Sequence, residues 1–380
     1  MDEIMSKKIR WLFLLIFVLI LLGAGGYFVW QYMKADPVYT GYTVVTSTDR
    51  ADSRSASYAQ YGDGFLRYSK DGIAYYNSEN IAQWNASYEL QIPMLDVRED
   101  YCAVAGIGSS WIYVFNKEGA VMSVDTTLPI VTISVSARGY VAAVLEDGNT
   151  QYIDMYDTTG EKAYRIKTSI EGKGVPTDIS ISNDGVKLMV AYTTMEAGQV
   201  KTSIAFYNFG EVGKNESERL VGGFDQYEGM LVPMVQFVTE DTAIAVSTGK
   251  VSIFTISQYP KLIADIIPDS DLHGVFLSGQ YIGLVFANHE SGFPYVVNVY
   301  DTKGKLILNY AIETDYKQYD FVGNNILMYD DNDVRLVSMS GEERFRYSFD
   351  IAIDSLIPVS GDNVYVYINS RKVQKIRLTE

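Results

Sequence analysis

The chain has 380 residues, 47% of them hydrophobic, and a formal net charge of −16. It is long enough for a large core and too acidic to neutralise nucleic-acid phosphates or to lie flat on an anionic leaflet. A single cysteine, Cys102, excludes an intramolecular disulfide, and an extracytoplasmic domain without disulfides suits a bacterial envelope better than a eukaryotic secretory route.

After a short cytoplasmic N-terminus, residues 1–10, the first predicted element is a helix over residues 11–33. No charge falls between Arg10 and Lys34, and the run from Leu12 to Leu22 is purely aliphatic and aromatic. A helix needs roughly 20 apolar residues to cross the hydrocarbon layer, so this stretch spans a bilayer once. Lys7, Lys8 and Arg10 precede it, and only Lys34, opposed by Asp36, follows closely. The positive-inside bias keeps the N-terminus in the cytoplasm and puts the remainder outside a bacterial cytoplasmic membrane. Trp11 at one end and Tyr27, Trp30 and Tyr32 at the other suit the two water interfaces. The rival reading is a cleaved signal peptide, since Gly23-Ala24-Gly25-Gly26 follows the aliphatic core. Hydrophobicity returns at Tyr27-Phe28-Val29-Trp30, which makes the segment longer than the roughly 7 to 15 residues of a signal core. No cysteine stands nearby to carry a lipid.

Residues 34–57 read as a linker that contains one isolated strand over 38–47, rich in β-branched and aromatic residues. From 58 to 380 the pattern is short strands and turns with no amphipathic helix. The clearest unit is Ile179 to Ser182, the turn Asn183-Asp184-Gly185, a strand from Lys187 to Tyr192, a loop, and a strand from Ser203 to Tyr207. Asn-Asp-Gly supplies positive φ cheaply, so the unit is an antiparallel meander. Equivalent third strands recur around Tyr75, Tyr113, Met155, Phe206, Ile253, Asn298 and Leu336. Their spacing of roughly 37 to 51 residues is that of a four-stranded propeller blade. An eighth unit begins near Ile351 and stops one strand short, and the strand over 38–47 can complete it, leaving no exposed edge. The expectation is therefore all-β: an eight-bladed β-propeller over 58–380, with seven blades as the alternative, behind a single N-terminal transmembrane helix.

The turns Asp157-Thr158-Thr159-Gly160 and Asp301-Thr302-Lys303-Gly304 resemble the repeat of quinoprotein (PQQ-like) propellers, and Ser182-Asn183-Asp184-Gly185 resembles the hairpin of TolB- and WD40-type ones. Anchor and propeller together resemble an uncharacterised family of bacterial membrane-anchored propeller proteins with a domain of unknown function. That resemblance implies a fold and no reaction. The strands after the two turns lack the tryptophan usual in quinoprotein repeats, and no adjacent cysteine pair exists to stack on a quinone, so cofactor binding is not implied.

Residues able to carry chemistry are sparse. His273 and His289, the two histidines, are not spaced as paired metal ligands. Gly172-Lys173-Gly174 and Gly106-Ile107-Gly108 lack the features of a phosphate loop, and no Gly-x-Ser-x-Gly elbow occurs. Asp330-Asp331-Asn332-Asp333 reads as a solvated hairpin turn rather than a calcium loop, because it lacks the glycine and distal glutamate of an EF-hand. Cys102 sits in an apolar strand and reads as a packed thiol. The 30 tyrosines read mainly as cross-strand packing.

In a propeller the connections from second to third strand and from blade to blade emerge on one face. Here that face collects Glu196, Tyr227, Glu228, Asp269, Asp271, His273, His289, Glu290 and Phe293, on the longer or more polar connections. They form the candidate ligand or partner face. With neither a catalytic set nor a cofactor or metal expected, the reading is a non-catalytic interaction or scaffold module. It would meet the bilayer through residues 11–33 and an envelope protein through the loop face. The alternative is a sensor or binder of a cell-wall glycan or small ligand, using tyrosines and carboxylates near the channel mouth. A third reading is a hydrolase or lyase with Glu290 and Asp271 as acid and base.

Overall fold

Side-chain-to-backbone bonds in short turns set the architecture. Asp157 Oδ1 accepts from the N–H groups of Thr159 (2.8 Å) and Glu161 (3.1 Å), while Gly160 takes φ +86°; Asp301 does the same for Lys303 and Lys305 before Gly304 at φ +82°. A carboxylate that mimics a backbone acceptor, followed by a residue in the left-handed region, reverses the chain in four residues. Repetition of such reversals yields antiparallel meanders.

The computed structural model describes residues 37–50, 55–169, 171–288 and 292–380. The helix expected over 11–33 lies outside them, and among the described residues no helix is long and apolar enough to cross a membrane. The described residues form 32 strands in eight four-stranded antiparallel sheets. In chain order the blades are residues 57–87, 93–125, 130–169, 175–228, 234–266, 272–312 and 318–348, and an eighth made of 353–379 with Gly41–Asp49 as its fourth strand. The fold is an eight-bladed β-propeller.

Its core is not central. Buried apolar side chains fall into eight clusters, one at each junction between neighbouring blades, such as Ile112 and Val114 of blade 2 against Val135 and Val141 of blade 3. First strands of adjacent blades touch at the junctions of blades 2 and 3, 3 and 4, 4 and 5, 6 and 7, and 8 and 1, and are therefore the inner strands. An inner strand is an edge, with N–H groups that need acceptors. Side chains of the preceding blade supply them from blade 2 to blade 5. Asp96 Oδ2 accepts from Val135 N–H (2.7 Å), Ser134 Oγ from Ile181 N–H (3.2 Å), Asp178 Oδ2 from Val235 N–H (2.8 Å) and Ser180 Oγ from Phe237 N–H (2.8 Å).

The ring closes through the chain's beginning. Gly41–Asp49 pairs antiparallel with Lys372–Thr379, from Gly41 opposite Thr379 to Asp49 opposite Lys372, with a bulge at Val45. The strand thus starts and ends a little later than the 38–47 read from the sequence. Tyr39 instead makes a parallel bridge to Phe345 of blade 7. Arg344 clamps this entry: its Nε donates to Pro37 O (2.6 Å), and its carbonyl accepts from Tyr39 N–H (2.7 Å).

This topology defines two faces. Connections from second to third strand and from blade to blade share one face, called upper here; the remaining turns share the lower. The ring-closing strand runs from lower to upper, because its end leads across to blade 1: Arg50 N–H reaches Arg371 O (2.8 Å) in the upper connection of blade 8. The chain therefore enters the propeller on the lower side.

Candidate interaction face

Inner strands begin at the upper face, and four of them carry a bulge close to that end. The registers skip one residue at Val131, Thr177, His273 and Asp354, in blades 3, 4, 6 and 8. A bulge sets two residues against one partner and re-aims a side chain out of the regular alternation. Val131, His273 and Asp354 are exposed as a result.

His273 is held on two sides. Its Nδ1 lies 3.0 Å from Asp315 Oδ2, and its ring meets the Tyr295 ring edge-on at 5.0 Å. The Tyr319 hydroxyl donates to the other Asp315 oxygen (3.1 Å). This pairing orients the imidazole at the upper end of the blade 6 inner strand.

Asp269 and Phe293 come together in one cleft of about 470 Å³ on blade 6, with Asn298, Tyr300 and Asn309. Asn309 Nδ2 donates to Asn298 Oδ1 (2.7 Å), and burial pushes the Tyr300 phenol above its usual value. Asp271 is exposed at the entrance to the inner strand, its carbonyl accepting from Ala287 N–H (3.0 Å). Glu196 and Glu228 are both exposed and flank Lys201, whose Nζ lies 3.4 Å from Glu196 Oε2 and whose backbone pairs with Glu228. A larger cleft of about 780 Å³ lies where blades 7, 8 and 1 meet, lined by Arg50, Tyr58, Lys317, Asp331 and Asp354. Lys317 and Asp331 form an ion pair there (2.5 Å), and Arg50 bonds Asp354.

One residue of the sequence-derived face differs in the structure. Tyr227 is not a surface residue: it is fully buried, with Lys250 Nζ 4.9 Å from its ring centroid. The fourth strand of blade 4 is irregular just before it, skipping between the Tyr227 and Phe224 pairings, and this turns the ring inward. His289 and Glu290 lie outside the described residues. The aspartates at 330–333 are spent on a turn, with Asp330 Oδ1 accepting from Asn332 (3.0 Å) and Asp333 (2.9 Å) N–H groups. Among the described residues no group of three or more His, Cys, Asp or Glu could hold a metal ion. Cys102 is buried, and burial pushes its thiol well above the usual range, which makes it a poor nucleophile.

Sequence reasoning missed the apolar character of the upper face. Ile92, Ile107, Trp111 and Val131 on blades 2 and 3 are exposed there, as are Met195, Leu231, Ile267 and Phe293 further round. On the lower side Val38, Ile81 and Tyr259 are exposed singly, and Leu220, Leu262, Leu306 and Ile307 are exposed where outer strands begin, so what marks the upper face is the grouping on blades 2 and 3 rather than the number. Isoleucine inside Gly106-Ile107-Gly108-Ser109-Ser110 was the available signal, because a large apolar residue in a glycine- and serine-rich turn has no core to enter.

Residues 35–378 match a family described as "Family of unknown function (DUF5711)", and the chain belongs to it. No curated protein matches the sequence. Among solved structures, the chain is similar to BamB from Moraxella catarrhalis, at 13% identity and a TM-score of 0.50, over 89% of this chain and 100% of that one. It is also similar to Chaetomium thermophilum Sqt1 bound to the N-terminus of the ribosomal protein L10, at 12% identity and a TM-score of 0.52, over 91% and 97%. At these identities the likeness is one of fold.

Proposed function

We propose that this member of a family of unknown function is a membrane-tethered, non-catalytic propeller. It is held outside the bacterial cytoplasmic membrane and docks an envelope protein on its upper face. The observation that carries the reading is the group of exposed apolar side chains Ile92, Ile107, Trp111 and Val131 on the upper side of blades 2 and 3. Soluble surfaces seldom expose apolar groups in clusters without a partner to cover them.

The tether supports the same reading. A helix over residues 11–33 would leave residues 34–37 as the link to the Arg344 clamp. Four residues span at most about 14 Å, so the lower face would sit against the bilayer and the upper face would look away from it. Sqt1, a propeller of similar fold, is one with a protein segment bound. A second reading, a sugar-like ligand, is favoured by the blade 6 cleft, where the Phe293 ring, the Asn298 and Asn309 amides and Asp269 combine a stacking surface with hydrogen-bonding groups.

Single-cysteine probes test tether and orientation together. Asn149→Cys marks the upper face and Lys303→Cys the lower, both at exposed turn positions, and buried Cys102 stays silent. Both should react with a membrane-impermeant maleimide in intact cells. In vesicles holding the full chain, a dye at 303 should transfer energy to a headgroup acceptor more efficiently than one at 149. Labelling only after lysis would refute the outside location, and equal transfer would refute the orientation.

A further inference from the structure

We propose that the upper face of blades 2 and 3 is a docking patch for an apolar segment of a protein partner, flanked by lysine or arginine; this deepens the interaction reading and rests on it. The loop over 107–110 is fastened on both sides. Ile107 N–H donates to Ile92 O (2.9 Å), Gly108 N–H to Ile130 O (2.8 Å), and Ile130 N–H to Ser109 O (2.8 Å). These bonds make neighbours of Ile92, Ile107 and Val131, which expose 58%, 51% and 39% of their surface. Val131 faces outward because the blade 3 bulge removes it from the ladder.

Trp111 follows the loop and is exposed, with its ring stacked on Tyr113 (6.2 Å, 17°), which in turn stacks on Tyr88 (5.4 Å, 21°). An indole already fixed by two phenols has little freedom left to lose on binding, and tryptophan is over-represented among residues that carry binding energy.

Charge names the occupant. Glu89, Asp125, Glu146 and Asp147 are exposed around the patch. Asp125 lies directly opposite Trp111 in the ladder, and Glu146 N–H bonds Pro129 O (3.0 Å). The framing connections, residues 88–92, 107–110, 126–129 and 146–149, contain no lysine or arginine; Lys70, bonded through its carbonyl to Leu90 N–H (2.8 Å), stands behind them. A second copy of this chain would bring the same acids and another charge of −16, and an anionic leaflet would be repelled equally. A segment with an apolar centre and basic flanks satisfies both the side chains and the rim.

The test uses the full chain in phosphatidylcholine nanodiscs with three fluorescent peptides: an apolar Leu-Phe-Ile-Leu core between lysine pairs, the same core between glutamate pairs, and a Ser-Gly core between lysine pairs. Anisotropy should show the first binding at least tenfold more tightly than either other peptide, with an affinity that falls as salt rises. Ile107→Asp, on an exposed loop, should weaken it at least tenfold, and Ile81→Asp on the lower face should leave it unchanged. Equal binding to empty discs, equal binding of the glutamate peptide, or indifference to Ile107→Asp with the fold intact by circular dichroism would overturn the proposal. So would a doubled mass by light scattering that Ile107→Asp abolishes, which would give the patch to a second copy. The orientation measurement with residues 149 and 303 is unaffected by any of these outcomes, so failure of the patch and failure of the tethered-module reading are told apart.

Discussion

Acidifying the protein from pH 7.5 to 5 should raise its melting temperature, through two buried carboxylates on inner strands. Burial raises Asp178 from 3.8 to about 6, against the opposing effect of the Val235 N–H bond and with a smaller push from Asp96. Burial raises Asp320 from 3.8 to about 6 as well, against the Phe321 N–H. An acid whose folded value lies above its unfolded one binds its proton more tightly when folded. Its contribution is therefore present at low pH and is lost as pH rises through about 6. Integrating that linkage from pH 7.5 to 5 gives about 1.4 kcal/mol for each group, or roughly 3 kcal/mol together. For a domain of this size the unfolding entropy is roughly 0.7 kcal/mol/K, so the pair should move Tm by about 4 °C. Scanning calorimetry at the two pH values measures the shift. Asp178→Asn with Asp320→Asn keeps an oxygen at each position and cannot ionise, so the double variant should lose that part of the pH dependence whatever the other groups contribute. A variant with the same pH slope as the parent would refute the reasoning.

Two further variants probe the interior. Asp154 is fully buried in the third strand of blade 3, where Arg165 Nε and Nη2 each donate at 2.6 Å and the Tyr156 hydroxyl at 3.2 Å. Asp154→Ala leaves the buried Tyr156 hydroxyl without its acceptor, while the exposed Arg165 can turn to water, so it should cost about 1 to 3 kcal/mol in urea denaturation; a loss under roughly 0.5 kcal/mol would refute it. Gly283 lies under the Phe276 ring so closely that a Cβ would stand 2.2 Å from the ring. Gly283→Ala should cost about 1 to 3 kcal/mol by overpacking, and adding Phe276→Leu should recover much of the loss in a double-mutant cycle; additive costs would show that the clash is not the cause.

What could be read from the sequence was what is decided locally. The carboxylate turns at Asp157 and Asp301 advertise themselves because the residues that make each reversal are adjacent in the chain. The eighth blade was legible by subtraction, since three strands after Ile351 require a fourth and one unpaired strand stood near the chain's beginning. The upper face was less legible because a bulge adds one residue to a strand without disturbing the apolar pattern that marks the strand. His273 and Val131 owe their exposure to such insertions, and Tyr227 owes its burial to another irregularity of register. Alternation read along the sequence assigns such residues to the wrong side, because a one-residue slip exchanges the two faces of everything beyond it.

Because the ring closes through the chain's beginning, the effect of a cut depends on where it falls. The described ladder begins at Gly41, so a ring cut ahead of Pro37 would keep all eight junction clusters and the Arg344 clamp. Cleavage after Asp49 would instead leave Gly41–Asp49 held without a covalent link to blade 1, by its bonds to Lys372–Thr379, by Tyr42 packed against Tyr347 (5.3 Å) and Phe349 (5.0 Å), and by the Arg344 clamp. Were that strand to leave, Lys372–Thr379 would become an open edge with unpaired N–H and C=O groups, which invites pairing with other chains. Cutting the chain and opening the ring are therefore separate events ahead of Pro37 and linked ones beyond Asp49. The pairs that hold the chain's beginning to the ring, Gly41–Asp49 on Lys372–Thr379, are thus also the ones that keep the ring shut.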